Sequence, residues 1–177
     1  MNLYRYTDTE LKKLLKTMVI LSDTREQSND HITGYFEKKG IPYKSKALSF
    51  ADYSAMLPAD PDMGVMRDLF FDQSCVIERK GSLEELSGNL TNGRERFKDE
   101  LARSSKAEFH LMIEGKSFSD IINHRYTTQF SEKAYMASLL SLQSEHGFNL
   151  AFIDWNDAGL YIYSFLYYHV RNKFLKG

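Results

Sequence analysis

Four carboxylates and one amine stand where apolar runs meet polar ones: Asp23, Glu26, Asp52, Glu78 and Lys80. Glu78 and Lys80 lie two apart in the run Cys75-Val76-Ile77-Glu78-Arg79-Lys80, so the two-residue period of a strand turns both toward one face. Carboxylate oxygens suit a hard divalent ion, and Mg²⁺ usually keeps only one or two of them beside water and substrate phosphate. A lysine beside such an ion can orient or deprotonate an attacking water. The chemistry implied is metal-assisted phosphodiester hydrolysis with Mg²⁺ or Mn²⁺. Each piece alone has a plainer reading. Asp23-x-x-Glu26 fits a helix capping box, Glu-Arg-Lys is a common surface triplet, and Asp52 beside Tyr53 fits a turn. Their combination, an Asp followed later by Glu-x-Lys after an apolar strand, is what points to a nuclease.

The elements that must position these groups alternate between strand and helix. Asp8 to Met18 reads as an amphipathic helix with Leu11, Leu14 and Leu15 on one face, and Val19 to Leu21 as a strand. His31 to Lys39 places Ile32, Tyr35 and Phe36 at helical spacing, and Gly40 and Pro42 end it. Tyr43 to Ala47 and Tyr53 to Leu57 read as strands, residues 58–64 as a loop, and Leu69 to Phe71 with Cys75 to Ile77 as the next strand region. Asp52 and Glu78 then fall on adjacent strands of one hairpin. Helices are expected at Leu83 to Leu90, Arg94 to Ser105, Ser131 to Glu145 and Asp157 to Phe174, with a helical turn at Ser119 to Ile122. Strands are expected at Phe109 to Ile113 and Leu150 to Ile153. This alternation predicts an α/β fold, a central mixed sheet with helices on both faces and a hairpin at its centre.

At 177 residues, 42% of them hydrophobic, the chain suits one well-buried domain, 1–177. A formal net charge of −1 excludes a bulk polycation, so any nucleic-acid contact must come from local clusters of Lys and Arg. Cys75 is the sole cysteine, which excludes an internal disulfide and a zinc site built from thiolates and fits a reducing compartment; its apolar flanks make it a buried structural thiol. No run approaches the ~18 apolar residues of a membrane span, and Asp8 and Glu10 interrupt the N-terminal stretch where a signal peptide would be apolar. A soluble, cytoplasmic protein is expected.

The order of the motifs resembles a known family. Leu21 to Glu26, then Ala51-Asp52-Tyr53, then Val76 to Leu86 resemble the nuclease domain of the XPF/MUS structure-specific endonucleases, a PD-(D/E)xK-like group with a restriction-endonuclease-like core. Asn92 to Leu101 and Phe109 to Gly115 resemble the helix and strand that follow in stand-alone bacterial and phage members. The resemblance implies that Asp52, Glu78 and Asp23 hold the metal, that Glu26 lines the same site, and that Lys80 stands near the nucleophilic water. It further implies supporting roles for Arg25 and Arg79, branched or junction DNA as substrate in recombination or repair, and a homodimer. Two positions depart from the pattern. Ala51 replaces the usual Gly, which a relaxed backbone would tolerate, and Glu84 stands where Asp is common. The helix-hairpin-helix modules of many members are not expected here.

A non-catalytic DNA-binding or heterodimer scaffold of the same fold is the alternative, although such partners tend to lose the acids that are intact here. Restriction of linear DNA by the same site is a third reading. Arg94, Arg96, Lys98 and Arg103 form a basic helix face suited to phosphate contact. His31, His110, His124, His146 and His169 show no paired metal-ligand spacing, so zinc is not expected. Trp155 is expected to be partly buried. Leu160 to Val170 is apolar nearly all round, as in a helix fully buried in its own core or half-buried at a subunit interface.

Overall fold

The short apolar runs become the strands of one sheet. In the computed structural model, which describes residues 6–175, these are β1 (Val19–Ser22), β2 (Tyr43–Ser45), β3 (Tyr53–Leu57), β4 (Leu69–Phe70), β5 (Cys75–Lys80), β6 (Glu108–Glu114) and β7 (Asn149–Ile153). They pair in the order β2-β1-β3-β5-β6-β7, with β4 attached to β3. β5, β6 and β7 are parallel, as are β1 and β2, while β3 runs against both β1 and β5. Every residue of β3 is buried, as in a strand covered on both faces.

The link from β3 to β5 is more elaborate than the expected hairpin. β4 pairs with the far end of β3, Met56 with Phe70 and Leu57 with Leu69, and the ladder between β3 and β5 is limited to Tyr53 and Ile77. Asp52 and Glu78 still arrive side by side, because the Asp52 N–H donates to the Ile77 carbonyl at 3.0 Å.

The helices are α1 (Asp8–Leu15), α2 (Asp30–Lys39), α3 (Leu83–Leu90), α4 (Arg94–Arg103), α5 (Phe118–Ile122), α6 (Glu132–His146) and α7 (Ala158–Leu175). α1, α2 and α7 cover one face of the sheet and α3 to α6 the other, each over its own apolar core. α1 stops short of Met18 because the N–H groups of Thr17 and Met18 bond three residues back, to Leu14 and Leu15, which tightens the last turn. α7 is half-buried rather than engulfed. Ile162, Leu166 and Val170, spaced by four, are buried, whereas Leu160 and Tyr168 are 46% and 59% exposed. No helix among the described residues is long and apolar enough to cross a membrane.

The two cores decide the faces of β5. Cys75 and Ile77 pack under α1, α2 and α7, and Val76 under α3, α4 and α6. Glu78 and Lys80 continue the Val76 series, and Arg79 continues the other.

Candidate active site

The cleft lies at one end of the central strands, where β1 and β5 end and β3 begins. Ala51 turns the chain into β3 with φ of 61°. This left-handed conformation costs a residue with a Cβ about 1–2 kcal/mol, so the backbone is not relaxed here as the replacement of Gly suggested. Three main-chain bonds hold it: the Ala51 N–H donates to Glu100 Oε1 at 2.9 Å, the Asp23 N–H to the Asp52 carbonyl at 2.7 Å, and the Asp52 N–H to Ile77.

Asp52, Glu78 and Lys80 line one cleft of about 580 Å³ together with Arg25, Glu26, Arg79 and residues of α3 and α4. Asp52 Oδ2 accepts the Arg79 N–H at 2.8 Å, and Glu78 Oε1 accepts Lys80 Nζ at 2.6 Å. Among the described residues no chain donor reaches Asp52 Oδ1 or Glu78 Oε2. Burial, then the negative charge of Glu26, pushes the Asp52 carboxyl up to about 7. Burial, then Asp52, holds Glu78 well above the usual carboxylate range. A half-buried Asp52 and a buried Glu78, mutually repelling and with undonated oxygens, fit an oxygen-seeking divalent cation, whose charge would relieve that repulsion. Lys80 behaves in the opposite sense. Burial opposes its charge, but Glu78, Glu85 and Asp52 outweigh burial and hold its ammonium above the ordinary lysine value. Of the two roles open to Lys80, orienting water or deprotonating it, this environment favours the first.

Asp23 is placed differently. Its Oδ1 accepts both the N–H and the Nε–H of Arg25, at 2.8 and 2.7 Å, and its Oδ2 accepts the Leu48 N–H at 2.7 Å. Burial opposes ionisation, yet these donors outweigh it and keep the carboxyl below its usual range. Asp23 pins the loops after β1 and before β3 and does not line the cleft. Glu26 does line it, but as the partner of Arg79 rather than as a helix cap: α2 starts at Asp30, beyond Asn29. Glu26 Oε1 accepts Arg79 Nη1 at 2.6 Å and the Tyr53 hydroxyl at 3.3 Å.

Arg79 braces the site from behind. Its Nη2 also stands 3.0 Å from Glu114 Oε2, and Glu114 Oε1 lies 3.0 Å from His31 Nε2. Trp155, expected to be partly buried, is 52% exposed and stacks on His31 at 4.1 Å, because it falls in a turn beyond the end of β7. Glu84 accepts the Thr127 N–H at 2.8 Å and so ties α3 to the loop before α6, while Ser82 caps α3.

The basic face of α4 divides. Arg96 and Arg103 line the cleft, whereas Lys98 lies 3.5 Å from Glu145 and Arg94 lines no part of the cleft. Between the two cleft arginines stands Glu100, which adds to the field on Asp52 and Glu78 and was not singled out among the acids. Its spacing of four from Arg96 and three from Arg103 on one helical stripe was the available signal. Glu114 was missed as a brace; its place at the end of a strand parallel to β5 was the clue. A second groove, about 730 Å³ between residues 64–71 and the end of α7, is lined mainly by apolar side chains such as Met66 and Phe70 and is separate from the acids.

The ERCC4 domain matches residues 22–165 of this chain. The chain belongs to the ERCC4 domain family. The matched stretch of this XPF-type nuclease domain begins one residue before Asp23 and takes in Asp52, Glu78, Lys80 and α4. Nucleases of the ERCC4 family typically use divalent metals. The fold is shared with XPF from Aeropyrum pernix, 21% identical with a TM-score of 0.59 over 85% of this chain and 61% of that one. It is likewise shared with XPF from Aeropyrum pernix in complex with DNA, 21% identical with a TM-score of 0.59 over 87% of this chain and 66% of that one. This ERCC4 domain thus spans less than two thirds of either chain's length. No curated protein matches it in sequence.

Proposed function

We propose that the protein is a Mg²⁺- or Mn²⁺-dependent endodeoxyribonuclease that cuts branched, flap or junction DNA in recombination or repair. The observation that carries this reading is the Asp52–Glu78 pair, with undonated oxygens beside the charged Lys80, in a cleft edged by Arg96 and Arg103. Asp52 Oδ1 and Glu78 Oε2 are the atoms offered to the ion. A divalent ion held there would polarise the phosphate and acidify a water. Lys80, held at Glu78 by a 2.6 Å bond, orients that water and offsets charge developing on the phosphate. Arg79 keeps β5 and the loop after β1 in register behind the acids, and Asp23 with Arg25 orders the loops at the cleft's mouth rather than binding metal. Arg96 and Arg103 contact phosphates along the strand. A homodimer would cover the exposed Leu160 and Tyr168 of α7, and cutting DNA in recombination or repair would take place in the cytoplasm.

The XPF structure solved with DNA supports a nucleic-acid partner for this fold. The test is cleavage of labelled flap, fork, four-way junction and linear duplex DNA, with either metal, by wild type and Asp52→Ala. Cutting of branched substrates that the substitution abolishes is the expected result. Equal cutting by the variant, or none by the wild type, would overturn the proposal. Binding of forks without turnover would leave a DNA-binding scaffold, and linear duplex cut as readily as junctions would indicate restriction instead.

A further inference from the structure

At the far end of β5 from the cleft, three elements bring together side chains that are distant in sequence. Cys75 opens β5 and Glu108 opens β6, and the two are paired in register, so their side chains leave the same face of the sheet. That face is covered by α7, which lowers His169 toward them. The thiol, carboxylate and imidazole ligand atoms all lie within 4.8 Å of one another. His110, two residues beyond Glu108 and on the same face, adds a second imidazole with its Nε2 3.5 Å from Glu108 Oε1.

The hydrogen bonds orient both rings. The Ser74 hydroxyl lies 3.2 Å from the Phe71 carbonyl and 3.4 Å from His169 Nε2, and can serve that nitrogen as donor or acceptor. His169 Nδ1 donates to Glu108 Oε2 at 2.8 Å in the metal-free chain; with Nδ1 bound to a metal instead, the ring proton would move to Nε2 and be donated to Ser74. His110 is a neighbour and not a ligand: the Asn149 amide donates to its Nε2 at 2.8 Å, and its Nδ1 faces the Tyr161 hydroxyl at 3.2 Å. A buried ring oriented by an outer hydrogen bond is the usual arrangement of a metal-ligating histidine.

We propose that Cys75, Glu108 and His169 bind Zn²⁺ or a similarly borderline-soft divalent cation at a site separate from the oxygen-lined cleft. Sulfur, imidazole and carboxylate together suit zinc, whereas the hard ions of the cleft prefer oxygen alone. Ligand atoms around tetrahedral zinc stand about 3.5 Å apart, so closing the cluster needs roughly an ångström of movement. Rotation of the Glu108 and His169 side chains would have to supply it. Burial, then Glu108, pushes the Cys75 thiol up, so the metal displaces its proton to solvent on binding. The bound ion would tie α7 to β5 and β6, a staple that the sequence hides because its ligands come from three separate elements.

The test uses full-length protein stripped with a chelator and titrated with Co²⁺ as a spectroscopic probe, followed by Zn²⁺. Wild type should develop a sulfur-to-cobalt charge-transfer band in the near ultraviolet, saturating at one equivalent and abolished by Zn²⁺. Cys75→Ala should lose the band, Ser74→Ala should weaken binding by about 10–100-fold, and Asp52→Asn should leave the band unchanged, which separates this site from the cleft. Zinc should raise the melting temperature of wild type but not of His169→Gln. A folded wild type that shows no charge-transfer band, or zinc retention equal in wild type and His169→Gln, would overturn the assignment.

Discussion

Replacing Asp52 by Asn should make the metal-free protein more stable. Burial and the neighbouring acids raise the Asp52 carboxyl from 3.8 to about 7 in the folded chain. The unfolded chain ionises first, so wild-type stability falls as pH rises between these values. The penalty is absent below about 3.8 and complete above about 7. At about 1.4 kcal/mol per tenfold, the ceiling is about 4 kcal/mol. The cleft is open on one side, which screens part of this, and the Asn carbonyl can still accept the Arg79 N–H. A gain of about 1–2 kcal/mol near pH 8 is therefore expected, worth roughly 2–8 °C in melting temperature for a chain of this size. Urea denaturation with EDTA at about pH 8 and about pH 4 measures it. Adding Mn²⁺ should stabilise wild type and not the variant, which reverses or closes the gap. A variant less stable than wild type at the higher pH without metal would refute the reasoning. So would an advantage of equal size at both pH values.

Lys80→Met should lower cleavage by about 10²–10³-fold while leaving DNA affinity unchanged, because its ammonium acts on charge that develops in the transition state; single-turnover kinetics with a parallel binding titration separate the two. Arg79→Ala removes one member of a buried ion cluster with Glu26 and Glu114 and should cost about 3–5 kcal/mol in denaturant unfolding. Arg96→Ala with Arg103→Ala should weaken DNA binding and make the log–log dependence on salt shallower by about 0.9 for each lost phosphate contact, with cleavage retained at saturating DNA.

Local covalent geometry made much of this fold legible. Side chains alternate along a strand and recur every three or four residues on a helix, so the apolar runs located the strands and helices. The spacing of Glu78, Arg79 and Lys80 assigned them to opposite faces before any packing was known. Helix α7 was readable as apolar all round, but only packing against the sheet showed which stripe is covered. Leu69 to Phe71 was readable as strand together with Cys75 to Ile77, but that β4 is a separate piece paired with the far end of β3 was not, because two paired residues carry almost no periodic signal.

Tertiary structure decided which polar atoms remain available. Asp23 looks in sequence like any other acid after a strand, yet the Leu48 N–H, arriving from a separate loop, joins Arg25 in consuming its oxygens. Glu100 and Arg103 joined the cleft because α4 packs across it, and Trp155 was left exposed because its turn extends past β7. Cys75, Glu108 and His169 meet only through a parallel register and a helix crossing. Side-chain identity supplies donors, acceptors and charge, and periodicity aims them within one element. Whether a carboxylate faces a metal or is spent on a loop depends on donors brought from elsewhere in the chain, and those arrive only when the layers close.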